Sequence, residues 1–376
     1  MFLNLSFVIV SHRFIPTLAD DLKKFLQKRG VNWTFIWHEF AALATRRSCI
    51  ENKGSVTWSP NYRWLSDSLV YIKDMIYTVW WLLTKVKKAS IYVGYGAFNV
   101  VPGIWLRSWL GIKKIVFYTV DFAPNRFKNK WLNNVYKRID AYAMKYADET
   151  WNLSPRMEVG RERLWRLKKE DYPRQRVVPL GVWIRKEKLT PKYSQDIFFS
   201  GHLMEKQGVQ LVIKALPQIL KFVPRSTLWI VGEGEYSEEL KKLTALLKLQ
   251  KHVHFTGRLD ADQQRRLMIK SGVAVAPYNP AISEYSQYAD SAKIKTYLSA
   301  GLPVVLTDVT YNAKEIEKYG CGLVVPYSQS ALAGTVTKVL ANPGMQRLMK
   351  RRAIKYISKF DWEEIFTSNF KRVIAA

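Results

Sequence analysis

Tyr288-Ala-Asp-Ser-Ala-Lys-Ile-Lys-Thr-Tyr-Leu-Ser-Ala-Gly-Leu-Pro-Val-Val305 passes from a polar start to an apolar end. Its first residues are polar and patternless, apolar side chains then recur at helical spacing, Gly301-x-Pro303 breaks the helix, and Val304 to Leu306 is a continuous apolar run. The pattern reads as loop, amphipathic helix, turn and buried strand. A loop running into a helix start presents backbone N–H groups without intrahelical partners at the positive end of the helix dipole, and Lys293 adds a full charge there. This is the outline of a phosphate site, and it is equally the outline of an ordinary loop, helix and strand.

The preceding residues repeat the unit. Strand patterns at Asp196 to Ser200, Thr227 to Val231, Val253 to Thr256 and Val273 to Ala276 alternate with helical patterns at Val209 to Phe222, from after Glu235 to Leu249, and at Ala261 to Ile269. Strands alternating with helices make a parallel sheet, whose loops at the carboxyl ends converge on one crevice. Here those loops are Gly201-His-Leu-Met-Glu-Lys-Gln-Gly208, Gly232-Glu-Gly-Glu235 and Gly257-Arg-Leu259, each carrying glycine and charge.

The first half opens the same way. Leu3 to Val10 is apolar, a helical pattern from Thr17 to Arg29 ends at Gly30, and a second strand follows at Trp33 to Trp37. Ser11-His12-Arg13 leaves the end of strand one. Residues 40–60 read as irregular. Trp64 to Lys88 reads as a helix whose Lys73 and Asp74 interrupt any spanning segment, and its aromatics and closing lysines suit either a core helix or one lying in a lipid interface. Further strands at Ile91 to Val93 and Ile115 to Tyr118 flank a helix at Ala97 to Leu110. The second delivers Asp121 at its carboxyl end, either as a helix cap or turn former or as a chemical group. The basic segment Arg126 to Arg138 carries Trp131 and Tyr136 and reads as a face for phospholipid or a phosphorylated acceptor, or as a solvated helix. Residues 181–194 are charged and patternless, which places a domain boundary there.

At 376 residues the chain holds two cores, and 48% hydrophobic with 24% charged residues excludes disorder. The net charge of +28 calls for a polyanionic partner: nucleic acid, an anionic membrane face or phosphorylated substrates. Residues 1–180 hold 30 Lys+Arg against 14 Asp+Glu, so the excess is not a detachable tail. Cys49 and Cys321 have neither metal-site nor disulfide-framework spacing, which fits a cytoplasmic setting and no metal. The sequence lacks a GxGxxG fingerprint after strand one, a Walker loop, HExxH and GxSxG. With no recognition helix or K/R-G-F-G-F strand, nucleic acid is not the expected partner.

Five motifs in order, Gly201-His-Leu-Met-Glu-Lys-Gln-Gly-Val, Val231-Gly-Glu-Gly, Phe255-Thr-Gly-Arg-Leu, Val275-Ala-Pro-Tyr and Lys293-x-x-Thr-Tyr-Leu-Ser-Ala-Gly-Leu-Pro-Val-Val, together resemble the nucleotide-sugar half of GT-B glycosyltransferases, most closely family 4. Phe360-Asp-Trp362 and the final helix are similar to the tail that crosses back in that fold. The pattern departs from the family at His202 and Gln207, where Arg and Lys are usual, and at Thr296, where an acidic residue holds the ribose. The usual histidine before the aspartate of the fourth-strand loop is Val120. Asp290-Ser-Ala-Lys293 and Thr-Val-Asp121 are similar to the donor loop and aspartate base of the bacterial xanthan glucuronosyltransferases, apart from one missing residue.

The resemblance implies an α/β GT-B fold of two Rossmann-like doubly wound domains facing a cleft: residues 1–183 on the acceptor and membrane side, 184–358 for the nucleotide-sugar, and 359–376 as the closing helix. It implies Asp121 as catalytic base in an inverting transfer. Lys293 and Ser291, with His202 and Lys206, would hold the donor diphosphate, and Arg258, Leu259, Tyr278, Thr296 and Glu205 the base and ribose. Ser11, His12 and Arg13 would lie on the acceptor side. The implied donor is a UDP-sugar, UDP-glucuronate among them, with GDP and a retaining hexose transfer left open. The implied acceptor is a glycan or lipid-linked oligosaccharide at the inner membrane face, met by Trp80, Trp81, Lys87, Lys88, Lys130 and Trp131. A GT-B scaffold that binds without catalysis stays open as well.

Overall fold

A computed structural model describes all residues except 1, 3, 14–16, 41–44, 53, 186–191, 283–284 and 376. Leu3 of the expected first strand, parts of the segment read as irregular, and residues 186–191 of the expected boundary segment therefore lie outside the described residues. The chain divides into two compact units, Met1–Pro179 with Trp362–Ala376, and Leu180–Asp361.

Unit 1 runs β1 (Ser6–Arg13), α1 (Leu18–Lys28), β2 (Asn32–Glu39), β3 (Ser48–Asn52), β4 (Ser55–Trp58), α2 (Asp67–Lys85), β5 (Ile91–Tyr95), α3 (Ala97–Trp105), α4 (Arg107–Leu110), β6 (Lys114–Thr119), α5 (Lys130–Tyr146), β7 (Glu149–Asn152), α6 (Pro155–Trp165) and β8 (Gln175–Val177). Its sheet has the order β4-β3-β2-β1-β5-β6-β7-β8, parallel except for the β2–β3 and β3–β4 pairs. Helices on both faces keep β1, β5 and β6 almost wholly buried, which is why they are continuous apolar runs rather than alternating ones.

Two sequence readings need correction. β1 continues through Ser11, His12 and Arg13, which pair in register with Trp37, His38 and Glu39. Side-chain polarity ends the apolar pattern at Val10, but the ladder is made by backbone groups and runs on. The segment read as irregular holds the β3–β4 hairpin, whose outer strand is exposed and so carries no apolar signal.

Unit 2 runs β9 (Ile197–Ser200), α7 (Val209–Phe222), β10 (Leu228–Val231), α8 (Ser237–Leu246), β11 (Val253–Gly257), α9 (Ala261–Lys270), β12 (Val273–Ala276), α10 (Ala292–Ser299), β13 (Val304–Thr307), α11 (Ala313–Lys318), β14 (Gly322–Val325), α12 (Gln329–Leu340) and α13 (Pro343–Ile357). Its six strands are all parallel in the order β11-β10-β9-β12-β13-β14. Both units are thus doubly wound, as the sequence pattern implies. The chain reverses its direction of growth between β1 and β5 in unit 1 and between β9 and β12 in unit 2. Such switch points open a crevice at the strands' carboxyl ends.

The last helix, α14 (Trp362–Ala375), belongs to unit 1. Phe366 packs against Phe25 of α1 and Phe370 meets Phe7 edge-on, while Arg372 bonds Glu149. Among the described residues no helix is long and apolar enough to cross a membrane.

Candidate functional site

Each switch point carries a cluster of the expected residues. In unit 2 the loops after β9, β10 and β11 are joined through their backbones: Gly201 N–H donates to Val231 O, Leu203 N–H to Glu233 O, and Gly232 N–H to Gly257 O. Gly232 has φ +128°, and a Cβ there would sit 2.0 Å from the Gly201 carbonyl oxygen. Gly208, at φ +74°, would press a Cβ to 1.7 Å from Pro277 O. Only glycine allows these loops to close on one another.

Into this frame α10 projects Lys293. Its ammonium donates to Gln207 Oε1 and lies 4.6 Å from the Phe199 ring centroid and 4.4 Å from that of Tyr278. Among the described residues it has no carboxylate within ion-pair distance, and burial pushes it down from the usual lysine range to about 7. The buried Ser291, at the N-cap of α10, shares a 2.9 Å hydrogen bond with the Tyr278 hydroxyl. Thr296, one turn along α10, donates its hydroxyl to Ala292 O at 2.9 Å, so its lone pairs remain for a ligand. A fully buried pair secures the loop from behind. Lys295 reaches Asp290 at 2.5 Å and Leu180 O at 2.5 Å, and Asp290 also accepts from Leu180 N–H at 2.8 Å.

Lys293, Ser291, Tyr278 and Thr296 therefore come together. Exposed His202 bonds Glu235 at 3.0 Å, and exposed Arg258 bonds Glu233 at 3.2 Å. Glu205 is exposed, Leu259 is half-buried, and Lys206 contributes its carbonyl to Asn279 N–H.

In unit 1 a cavity of about 240 Å³ opens at the β1–β5 switch point, lined by Ser11, His12, Phe40, Tyr71, Phe98, Asn99, Asp121 and Arg126 among others. The Asn99 amide nitrogen donates to Tyr95 O (2.6 Å) and to His12 Nδ1 (3.0 Å), leaving His12 Nε2–H to donate to Asp74 (3.1 Å). Both ring nitrogens are engaged, so His12 is held in place. Ser11 lines the same cavity. Arg13 does not: it pairs with Asp20 and lies 4.9 Å over the Trp37 ring.

Beneath His12 is a buried polar network that the sequence did not reveal. Lys73 and Asp74, read as interruptions of α2, are both buried; Lys73 Nζ lies 2.5 Å from Asp74, and His38 spans Ser48 and Thr78 at 2.8 Å each. Burial works to raise the Asp74 carboxyl, but His38, a hydrogen bond from His12 and Lys73 outweigh it and hold it below the usual range. Burial drives His38 down to about 3, so its ring is neutral.

Asp121 stands at the cavity mouth with its side chain 55% exposed, and Arg126 Nη2 bonds both of its oxygens at 2.7 and 2.6 Å. Arg126 was expected in a basic outward face; it is instead tucked 4.8 Å over the Tyr136 ring. The strand end that carries Asp121 is anchored by buried Arg161, which bonds Thr119, Asn152 and Asp140.

Residues 183–356 match the model of the family described as Glycosyl transferases group 1. Over 183 residues the chain is 26% identical to the glycogen synthase of Mycobacterium tuberculosis, covering 48% of this chain and 42% of that one. It spans about half the length of the curated relatives it matches. Among solved structures, the sucrose-phosphate synthase of Thermosynechococcus elongatus superposes with a TM-score of 0.74 at 15% identity, covering 99% of this chain and 100% of that one. Anabaena HepE in complex with UDP gives 0.71 at 15% identity over the same shares. The chain has the GT-B fold, and the stretch that matches the group 1 glycosyl transferase model, residues 183–356, covers unit 2 from just before β9 through most of α13.

Proposed function

We propose that the protein is a glycosyltransferase that moves a sugar from a nucleotide-diphosphate sugar to a glycan acceptor with inversion at the anomeric carbon. The observation that carries this is Lys293: a cation drawn out of water at a helix start, between two rings, with no carboxylate among the described residues to answer it. Burial of such a charge is costly unless an anion arrives. A diphosphate supplies one, and the α10 N–H groups add donors. UDP is the favoured carrier because the similar HepE structure holds it, and glucuronate is among the sugars to test. Thr296 and Tyr278 would border the ribose and base.

In the transfer, the acceptor hydroxyl oxygen forms a bond to the anomeric carbon as the bond from that carbon to the diphosphate oxygen breaks. The electron pair leaves on the diphosphate, where Lys293 and the α10 N–H groups stabilise it, and the hydroxyl proton goes to Asp121. In this reading no metal takes part.

The same reading places the enzyme against an anionic membrane. Leu69, Ile72, Ile76, Trp80 and Leu83 form one stripe of α2, each at least 45% exposed, while Val70, Thr78, Trp81 and Leu82 on the other side are buried. Lys85, Lys87 and Lys88 follow directly. An apolar stripe ending in cations suits a phosphate-rich lipid surface. Sedimentation with phosphatidylglycerol vesicles, set against phosphatidylcholine, is expected to capture the parent and to lose Ile76→Ser/Trp80→Ser.

The deciding experiment is a thermal-shift panel of nucleotide-sugars with the parent, Lys293→Ala and Asp121→Asn. A UDP-sugar should stabilise the parent and Asp121→Asn, but not Lys293→Ala. If both variants shift like the parent, the donor assignment fails. If Asp121→Asn loses binding along with turnover, Asp121 is a sugar ligand and the transfer retains configuration.

A further inference from the structure

The cavity at the β1–β5 switch point has a wall and a mouth of different chemistry. Phe40, Tyr71 and Phe98 line it, Tyr71 and Phe98 stacked at 4.9 Å and 25°. These are flat apolar faces of the kind the C–H side of a pyranose covers. Its volume of about 240 Å³ is below the about 300–1,000 Å³ of sites for drug-sized ligands, which suits a single ring. At the mouth Arg126 holds Asp121 through one nitrogen only, Nη2. Its Nε is shielded from solvent and has no hydrogen-bond partner among the described residues. A guanidinium offers a planar edge of two N–H groups that matches a carboxylate or phosphate. Here one such edge is half used.

We infer that this cavity binds the acceptor through a sugar ring bearing an anionic group, and that Arg126 takes that anion through its Nε edge while loosening its hold on Asp121. This rests on the transferase reading above and adds a substrate class to it. Binding an anionic acceptor then does two things at once. It satisfies the buried Nε–H, and it frees an Asp121 oxygen to accept the hydroxyl proton. A neutral acceptor does neither, and meets Asp121 still bonded to Arg126.

The test is calorimetric titration of the full chain, saturated with UDP, using methyl β-glucuronide, glucose 6-phosphate, methyl β-glucoside and inorganic phosphate. One or both anionic sugars should bind at least tenfold tighter than the glucoside, the tighter of the two identifying uronate or phosphate as the group. Arg126→Gln should bring that preference within twofold, and Arg126→Lys should keep part of it. General damage to the fold would lower all affinities together and leave the ratio unchanged. Equal binding of glucoside and anionic sugars by the parent overturns the inference, as does an unchanged preference in Arg126→Gln. Inorganic phosphate binding as tightly as glucose 6-phosphate also overturns it, because the ring then contributes nothing. A parent that UDP fails to stabilise counts against the transferase reading instead, and the ratios are then read without nucleotide.

Discussion

The two switch points arise from the same kind of reversal in strand order and hold opposite electrostatics. In unit 1 the polar groups around the cavity answer each other: His12 is bonded to Asp74, and Asp121 to Arg126. In unit 2 the cation at the centre of the cluster has, among the described residues, an amide oxygen and two rings and no carboxylate. On the proposed reading, similar architecture thus yields one crevice prepared for an anion and another that exchanges an internal partner before it works. Function is set by the loops the strands deliver rather than by the sheet.

The difference is broken most severely at Asp121. Asp121→Asn keeps the size of the side chain but cannot take a proton, so kcat should fall about 10²–10⁴-fold. The donor-induced thermal shift should stay at the parental value. Steady-state kinetics alongside thermal shift separates the two crevices, and a proportionate loss of donor binding would merge them.

Stability comes next. Each functional loop is fixed by a buried ion pair, Asp140–Arg161 in unit 1 and Asp290–Lys295 in unit 2. Removing one partner strands a buried charge at a cost of about 3–5 kcal/mol. Lys295→Ala should therefore lower Tm by about 6–20 °C, taking about 2–4 °C per kcal/mol for units of this size. Lys293→Ala, two residues away, removes a cation that has no ion-pair partner among the described residues and whose contacts with Gln207 and two rings offset its burial, so it should change Tm far less. Calorimetry that finds both lysines equal would contradict the division of roles within α10.

The third effect is on pH. With Lys293 pushed down to about 7, free protein above that pH holds it neutral, whereas a bound diphosphate favours the ammonium. Affinity for UDP-glucose, whose diphosphate keeps its charge over this range, should be level below pH 7. Above it, affinity should fall by up to about tenfold per unit, about 1.4 kcal/mol. Binding at pH 8 should take up close to one proton, measurable by titration in buffers of different ionisation enthalpy. The sign for folding is the reverse. The unfolded chain binds the extra proton between about 7 and the ordinary lysine value, so this group makes stability rise with pH across that window.

How far these sites were legible follows from what fixes each residue. The unit 2 loops could be read because Gly208 and Gly232 are demanded by backbone approach, and a glycine requirement leaves its mark at one position. Asp121 was legible by its place after β6. Arg126 was not, since pairing it with Asp121 needs the turn between them, and a basic run reads the same whether it faces solvent or a carboxylate. Lys73 and Asp74 misled for a related reason. Two charges inside an apolar helix look like a solvated break, and their partners His12, His38 and Ser48 come from β1, β2 and β3. Networks assembled from three strands leave no spacing in the chain.

Thr296 gives the smallest expected effect and the sharpest check on the unit 2 cluster. Its hydroxyl proton is committed to Ala292 O, so toward a ligand it can only accept, and a ribose hydroxyl is the donor it suits. Thr296→Val keeps the shape and removes one neutral hydrogen bond, worth about 0.5–1.5 kcal/mol, so UDP affinity should weaken by about 2–12-fold. Thr296→Glu replaces the neutral acceptor with a charged one, for which about 1.5–3 kcal/mol is typical, and should tighten UDP binding relative to Thr296→Val. Deoxyuridine diphosphate supplies the control: lacking the 2′-hydroxyl, it should bind all three proteins with a narrower spread if that hydroxyl is the donor. Affinities that ignore the side chain at 296 would move the ribose off α10 while leaving the diphosphate on Lys293.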